Sequence, residues 1–129
     1  MPRTILVVDD DPDALSQMRR QLTQWGFDVR TADSLKQADA ALREQRPDLA
    51  IVDLMLEDVD SGFTLCHRIK RQDPAIPVIL VTAVTHYTNL RFDALGREEA
   101  AWIKADAILQ KPVLFETLAG RIRQLLPGD

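Results

Sequence analysis

The stretch Ile5-Leu6-Val7-Val8-Asp9-Asp10-Asp11-Pro12 drives four apolar residues straight into three carboxylates and a proline. A short uninterrupted apolar run reads as a strand buried on both faces. The acids then lie where that strand leaves the core. Three like charges packed together repel one another and lose hydration, so the grouping is costly without a positive partner. Helix capping accounts for part of it: Asp11 and Asp13 suit the start of the next helix, with Pro12 in its first turn. Asp9 and Asp10 precede the cap and need another explanation.

The pattern recurs along the chain. Leu49-Ala50-Ile51-Val52 is a second fully apolar run, and it too ends on an acid, Asp53. Val78-Ile79-Leu80-Val81 is a third, ending on Thr82. Ala107-Ile108-Leu109 is shorter and leads into Gln110, Lys111 and Pro112. Phe27 to Thr31 is apolar only at Phe27 and Val29, which suits an edge strand. Helical periodicity fills the intervals. The first helix runs from about Pro12 to Trp25, with Leu15, Met18, Leu22 and Trp25 on one face, and Gly26 closes it. Ser34 and Gln37 form a capping-box pair for a helix with Leu35, Ala38 and Leu42 inward, broken at Arg46-Pro47. After a loop to about Asp60, a helix carries Phe63, Cys66 and Ile69 inward and stops at Asp73-Pro74. Residues 83 to about 106 have the least clear pattern, with Arg97 to Lys104 a candidate helix. The last helix places Leu114, Leu118, Ile122 and Leu125 on one face and ends at Pro127-Gly128.

Composition narrows the class. A chain of 129 residues suffices for one domain with a real core, and a single domain over 1–129 is expected. At 46% hydrophobic and 28% charged it has the balance of a globular protein. A net charge of -4 argues against non-specific binding to nucleic acid or anionic membranes, which needs a basic face. No apolar run approaches the roughly 18 residues of a membrane helix. The single cysteine, Cys66, permits no internal disulfide, which suits a reducing cytoplasm.

Strands alternating with helices predict an α/β fold: one doubly wound, five-stranded parallel sheet with helices on both faces. Ligands of such sheets sit beyond the carboxyl ends of the strands, where strand order reverses. Those ends carry Asp9, Asp10, Asp53, Thr82 and Lys111. Clustered carboxylates suit a hard divalent cation such as Mg2+. A carboxylate beside the metal can attack a phosphoryl group and form an acyl phosphate. A lysine and a hydroxyl can hold the phosphoryl oxygens.

In Ile5–Asp10, Leu49–Asp53, the PVILVTA run from Pro77 to Ala83 and Lys111-Pro112, the chain resembles the receiver domains of two-component response regulators. The resemblance spans essentially the whole sequence. It implies the flavodoxin-like, CheY-like sheet with strand order 2-1-3-4-5. It also implies that Asp53 is phosphorylated, and that Asp9, Asp10, Asp53 and the Met55 backbone carbonyl hold Mg2+, with Asp9 reaching it mainly through water. Thr82 then corresponds to the switch hydroxyl and Lys111 to the phosphate-contacting lysine, with a cis Lys111-Pro112 bond aiming the ammonium at Asp53. The implied partners are a histidine kinase or phosphotransfer protein upstream and an unknown protein downstream. The expected domain contacts neither nucleic acid nor membrane directly and is a monomer or a phosphorylation-dependent dimer. The resemblance implies a signalling domain that catalyses only its own phosphorylation and dephosphorylation.

Three features depart from the family pattern. Glu57 stands where a proline is usual, and the following glycine comes one place late, at Gly62. Ile108 takes the place of the switch aromatic. The segment between Thr82 and Lys111 is longer than usual and holds Tyr87, Phe92 and Trp102, so the signal is expected to travel through residues 84–106 unless that segment is only a rigid insertion. Among other residues, Asp58-Val59-Asp60-Ser61-Gly62 lacks the glycine position and final glutamate of a calcium loop. Cys66 reads as a small core residue, and His67 and His86 as surface residues. The competing class is a flavodoxin-like binding module or a small Mg2+-dependent phosphatase. A flavin site would want a Ser-, Thr- and Gly-rich phosphate loop after the first strand, where this chain has Asp-Asp-Asp-Pro. A hydrolase would need a further general acid, and the sequence offers none.

Overall fold

A computed structural model of the protein describes residues 3–53, 61–82 and 105–126. In chain order these form β1 (Thr4–Val8), α1 (Pro12–Gln24), β2 (Asp28–Ala32), α2 (Leu35–Glu44), β3 (Leu49–Asp53), α3 (Ser61–Gln72), β4 (Val78–Thr82), β5 (Ala107–Gln110) and α4 (Phe115–Leu125). The strands make one sheet in the order β2-β1-β3-β4-β5, and every pairing is parallel. Expected positions on residues 54–60, 83–104 and 127–129 lie outside the described residues. They include Met55, Glu57, the candidate helix Arg97 to Lys104, Tyr87, His86, Phe92, Trp102 and Pro127-Gly128. The side chain of Phe63 lies outside them too.

The apolar runs become the inner strands because successive side chains point to opposite faces and both faces are covered. Leu6, Val8, Ala50, Val52, Val78 and Leu80 pack with Ala38, Leu42, Leu65, Cys66 and Ile69 of α2 and α3. Ile5, Val7, Leu49, Ile51, Ile79 and Val81 face the other way, toward Leu22 of α1 and Leu118 and Ile122 of α4. All five residues of β1, β3 and β4 are buried. β2, with one neighbour only, is half-exposed.

The helix ends follow local chemistry. Asp11 caps α1, its side chain accepting from the Asp13 N–H, with Pro12 at the first helical position. Gly26 closes it at φ 96°, a left-handed conformation that favours glycine. The Gly26 N–H donates to the Thr23 carbonyl and the Phe27 N–H to that of Leu22, the double bond of a Schellman ending. Ser34 caps α2 by accepting from the Gln37 N–H, while Gln37 Oε1 reaches back one residue further, to the Asp33 N–H.

Four expectations need correction. β2 covers Asp28–Ala32, one residue later than read, because the Phe27 N–H is used in closing α1. Trp25 follows the last turn of α1 and does not extend its inward face. It is 36% exposed and meets Phe115 edge-on at 6.2 Å. Leu114 is 62% exposed because it sits at the N-cap of α4 in an extended conformation, before the first turn; Phe115 begins the inward face instead. His67 is half-buried, since its helix α3 packs closely on the sheet.

Candidate functional site

The strand order reverses between β1 and β3: the chain goes outward from β1 to β2, then returns to the far side of β1. The two strand ends that border this crevice carry Asp9 and Asp53. Val8 pairs with Val52, so the next residues on each strand, Asp9 and Asp53, emerge side by side. Asp53 is level with Val81, and Thr82 with Gln110, so Thr82 and Lys111 rise beside the acids from the other side. The Lys111 N–H donates to the Thr82 carbonyl at 2.7 Å, extending the ladder to the site.

Lys111 Nζ donates to Asp9 Oδ2 and Asp53 Oδ2, both at 3.1 Å. The Lys111-Pro112 bond is cis, as expected. Asp9, Asp53 and Thr82 are buried, whereas Asp10 faces solvent. Asp9 Oδ1 accepts from the Asp11 N–H at 2.9 Å, which ties the acid to the helix start. One carboxylate oxygen from each of Asp9, Asp10 and Asp53 lies within 4.8 Å of the others. Of the six positions expected to form the site, the structure brings together five; Met55 lies outside the described residues.

Electrostatics follow from this packing. Burial is the largest influence on Asp9 and raises its carboxyl above the usual 3.8; the charge of Asp53 adds to it, and the Asp11 N–H and Lys111 oppose it without cancelling it. Burial works against the Lys111 ammonium, but its hydrogen bonds to Asp9 and Asp53 and their negative charge win, so its pKa stands above 10.5. The lysine is therefore charged at neutral pH and is the positive partner that the acid cluster requires.

The acids fit a hard cation. Mg2+ binds oxygen at about 2.0–2.1 Å, so two ligands on opposite sides of one ion stand about 4.2 Å apart. The three carboxylate oxygens lie within 4.8 Å of one another, a spacing compatible with one ion reached directly or through a water. The site also opens into a cavity walled by Ala14, Gln17 and Met18 of α1 and by Val113 and Phe115. The sequence reading missed Gln17 and Phe115 as part of this wall. The available signal was that residues one and two turns beyond the Asp11 cap must overhang the end of β1.

Cys66 is buried against the sheet, and burial pushes its thiol up to about 11, so it is an inert core residue as expected. No helix among the described residues is long and apolar enough to cross a membrane.

The family model for the response regulator receiver domain matches residues 5–123. The chain belongs to the response regulator receiver family. The probable transcriptional regulatory protein TcrX of Mycobacterium tuberculosis is 35% identical over 127 residues, covering 97% of this chain and 50% of that protein. The DNA-binding response regulator MtrA of Mycolicibacterium smegmatis is 36% identical over 126 residues, covering 98% of this chain and 51% of that protein. The receiver domain thus spans about half the length of the curated relatives it matches. Among solved structures, the response regulator TrrA of Thermotoga maritima in complex with Mg2+ and BeF is similar, with TM-score 0.78 and 26% identity over 96% of this chain and 99% of that one. The protein is a receiver domain of two-component signalling, and its aspartate pocket is present. Receivers of this family interact with histidine kinases and downstream effectors.

Proposed function

We propose that Asp53 accepts a phosphoryl group from a histidine kinase or a phosphotransfer protein, with Mg2+ held by Asp9, Asp10, Asp53 and the Met55 carbonyl. The observation that carries this reading is the Lys111 ammonium at 3.1 Å from Asp53 beside two further carboxylates at the strand ends. An Asp53 carboxylate oxygen attacks phosphorus, the bond from phosphorus to the donor's imidazole nitrogen breaks, and the imidazole keeps the electron pair. Mg2+, when bound, neutralises charge on the transferring group. Lys111 has three N–H donors; Asp9 and Asp53 use two, and the third is available to a phosphoryl oxygen. Thr82, on the adjoining strand, offers its hydroxyl as the group that senses the added phosphate. The Asp11 N–H fixes Asp9, so Asp9 acts mainly through water, and exposed Asp10 is the carboxylate most able to reach the ion.

In this reading the whole of 1–129 is one receiver domain, located in the cytoplasm. It acts as a monomer or a phosphorylation-dependent dimer and speaks to a protein partner rather than directly to nucleic acid or membrane. The domain catalyses only gain and loss of its own phosphate.

Acetyl phosphate with Mg2+ should add one labile phosphoryl group, read by mass spectrometry. A protein that turns over a small phosphate ester without being labelled would support the phosphatase reading instead. Asp10→Asn should weaken Mg2+ binding at least about tenfold, because one of few charged oxygen ligands is lost. Equal affinity in a calorimetric titration would remove Asp10 from the site.

A further inference from the structure

Lys111 reaches the site from the end of β5, and little in β5 itself fixes where that end lies. The strand has four residues, pairs among the described residues only with β4, and buries just Leu109. Burial of one face normally sets register, because a one-residue slip turns every side chain over. Here that restraint is weak. A two-residue slip keeps the faces but would carry Lys111 about 6.6 Å along the sheet, out of reach of both acids.

The other end of the strand is tied down. The Asp106 N–H donates to the Val78 carbonyl at 2.8 Å, and Asp106 Oδ2 accepts from the Val78 N–H at 2.8 Å. This reciprocal clasp joins the residue before β5 to the first residue of β4. Lys70 of α3 completes it, with Nζ at 2.7 Å from Asp106 Oδ2 and 3.3 Å from the Pro74 carbonyl. The same device occurs once more among the described residues. The Asp48 N–H donates to the Thr4 carbonyl and Asp48 Oδ2 accepts from the Thr4 N–H, each at 2.8 Å. There it joins β3 to β1. β3 is flanked on both sides and buried throughout, so packing alone holds its register.

We infer that Asp106, held by Lys70, is a positioning residue for Lys111: it sets the register of β5 and thereby places the ammonium between Asp9 and Asp53. Asp106 and Lys111 flank β5 and are five residues apart, about 16 Å at strand spacing, so Asp106 touches no reacting atom. The inference rests on the reading of Lys111 as the phosphate-contacting lysine.

The test is a double-mutant cycle on beryllofluoride affinity, measured by calorimetry with Mg2+ on the whole chain, with folding checked by circular dichroism. Asp106→Ala should weaken binding about tenfold in the presence of Lys111 and have little further effect in Lys111→Ala, since residues acting through one group are not additive. Asp106→Asn keeps an acceptor for the Val78 N–H and should recover most of the affinity. Lys70→Met leaves the clasp in place without its countercharge and should fall between the two, which keeps the idea testable should Asp106→Ala not fold. Asp48→Ala should leave the affinity within about twofold of wild type. An unchanged affinity in Asp106→Ala or Lys70→Met, an equal loss in the Lys111→Ala background, or a matching loss in Asp48→Ala would overturn the inference. If Lys111→Ala itself binds beryllofluoride as wild type does, the reading of the site falls as well.

Discussion

Asp53→Asn should abolish hydroxylamine-sensitive labelling by acetyl phosphate while leaving the domain folded. The amide has the shape of the carboxylate but no anionic oxygen to attack phosphorus, so the loss should be at least about a thousandfold. The fold should survive because the change removes one of three clustered negative charges. The amide oxygen can also still accept the Lys111 hydrogen bond that Asp53 receives at 3.1 Å. Mass spectrometry before and after hydroxylamine reads the outcome, and a urea titration reads the fold. Full labelling of the variant would move the nucleophile to another residue.

The sequence made this site legible for a simple reason. Buried strands flanked on both sides leave unbroken apolar runs, and the polar residue that ends each run must stand at a sheet edge. Asp9, Asp53 and Thr82 each end such a run, and all three lie buried at the carboxyl edge. The sheet order came from the family resemblance, because periodicity fixes which segments are strands but not how they pair. Misreadings fall where a helix stops. Trp25 and Leu114 continue the apolar spacing of their helices, yet each is the cap residue just outside the helix, where backbone hydrogen bonds rather than amphipathicity decide. The clasps at Asp48 and Asp106 were illegible, since an acid before a strand looks like any turn residue until its partner strand is known. Of the wall, Gln17 could have been placed from its distance beyond the Asp11 cap, whereas Phe115 comes from the far end of the chain and no local pattern brings it there.

Asp9→Asn should stabilise the metal-free domain at neutral pH, and saturating Mg2+ should reverse that ranking. Burial raises the Asp9 carboxyl, so the folded state holds this proton more firmly than the unfolded chain does. Between 3.8 and the raised folded value, Asp9's contribution to stability therefore falls as pH rises, and above that window the full cost of its charge is present. The Lys111 pKa is raised as well, so its contribution also falls with rising pH, but in a far higher window. Its raised pKa contributes stability that is complete below 10.5 and is lost only as pH climbs through the folded value. At neutral pH the lysine thus offsets part of the repulsion among the acids but not all of it. The Asp9→Asn change removes a buried charge and its repulsion with Asp53, keeps an acceptor for the Asp11 N–H, and gives up one Lys111 hydrogen bond; a net gain on the order of 1 kcal/mol is expected. Mg2+ bound as proposed to the folded wild type should add about 2.7 kcal/mol at a hundredfold excess over its dissociation constant. The variant, with a weaker site, gains less. Urea unfolding at pH 7 in chelator and then in Mg2+ measures both terms. A variant that is less stable than wild type in chelator, yet gains as much from Mg2+, would show that Asp9 is a structural hydrogen-bond acceptor with no part in holding the metal.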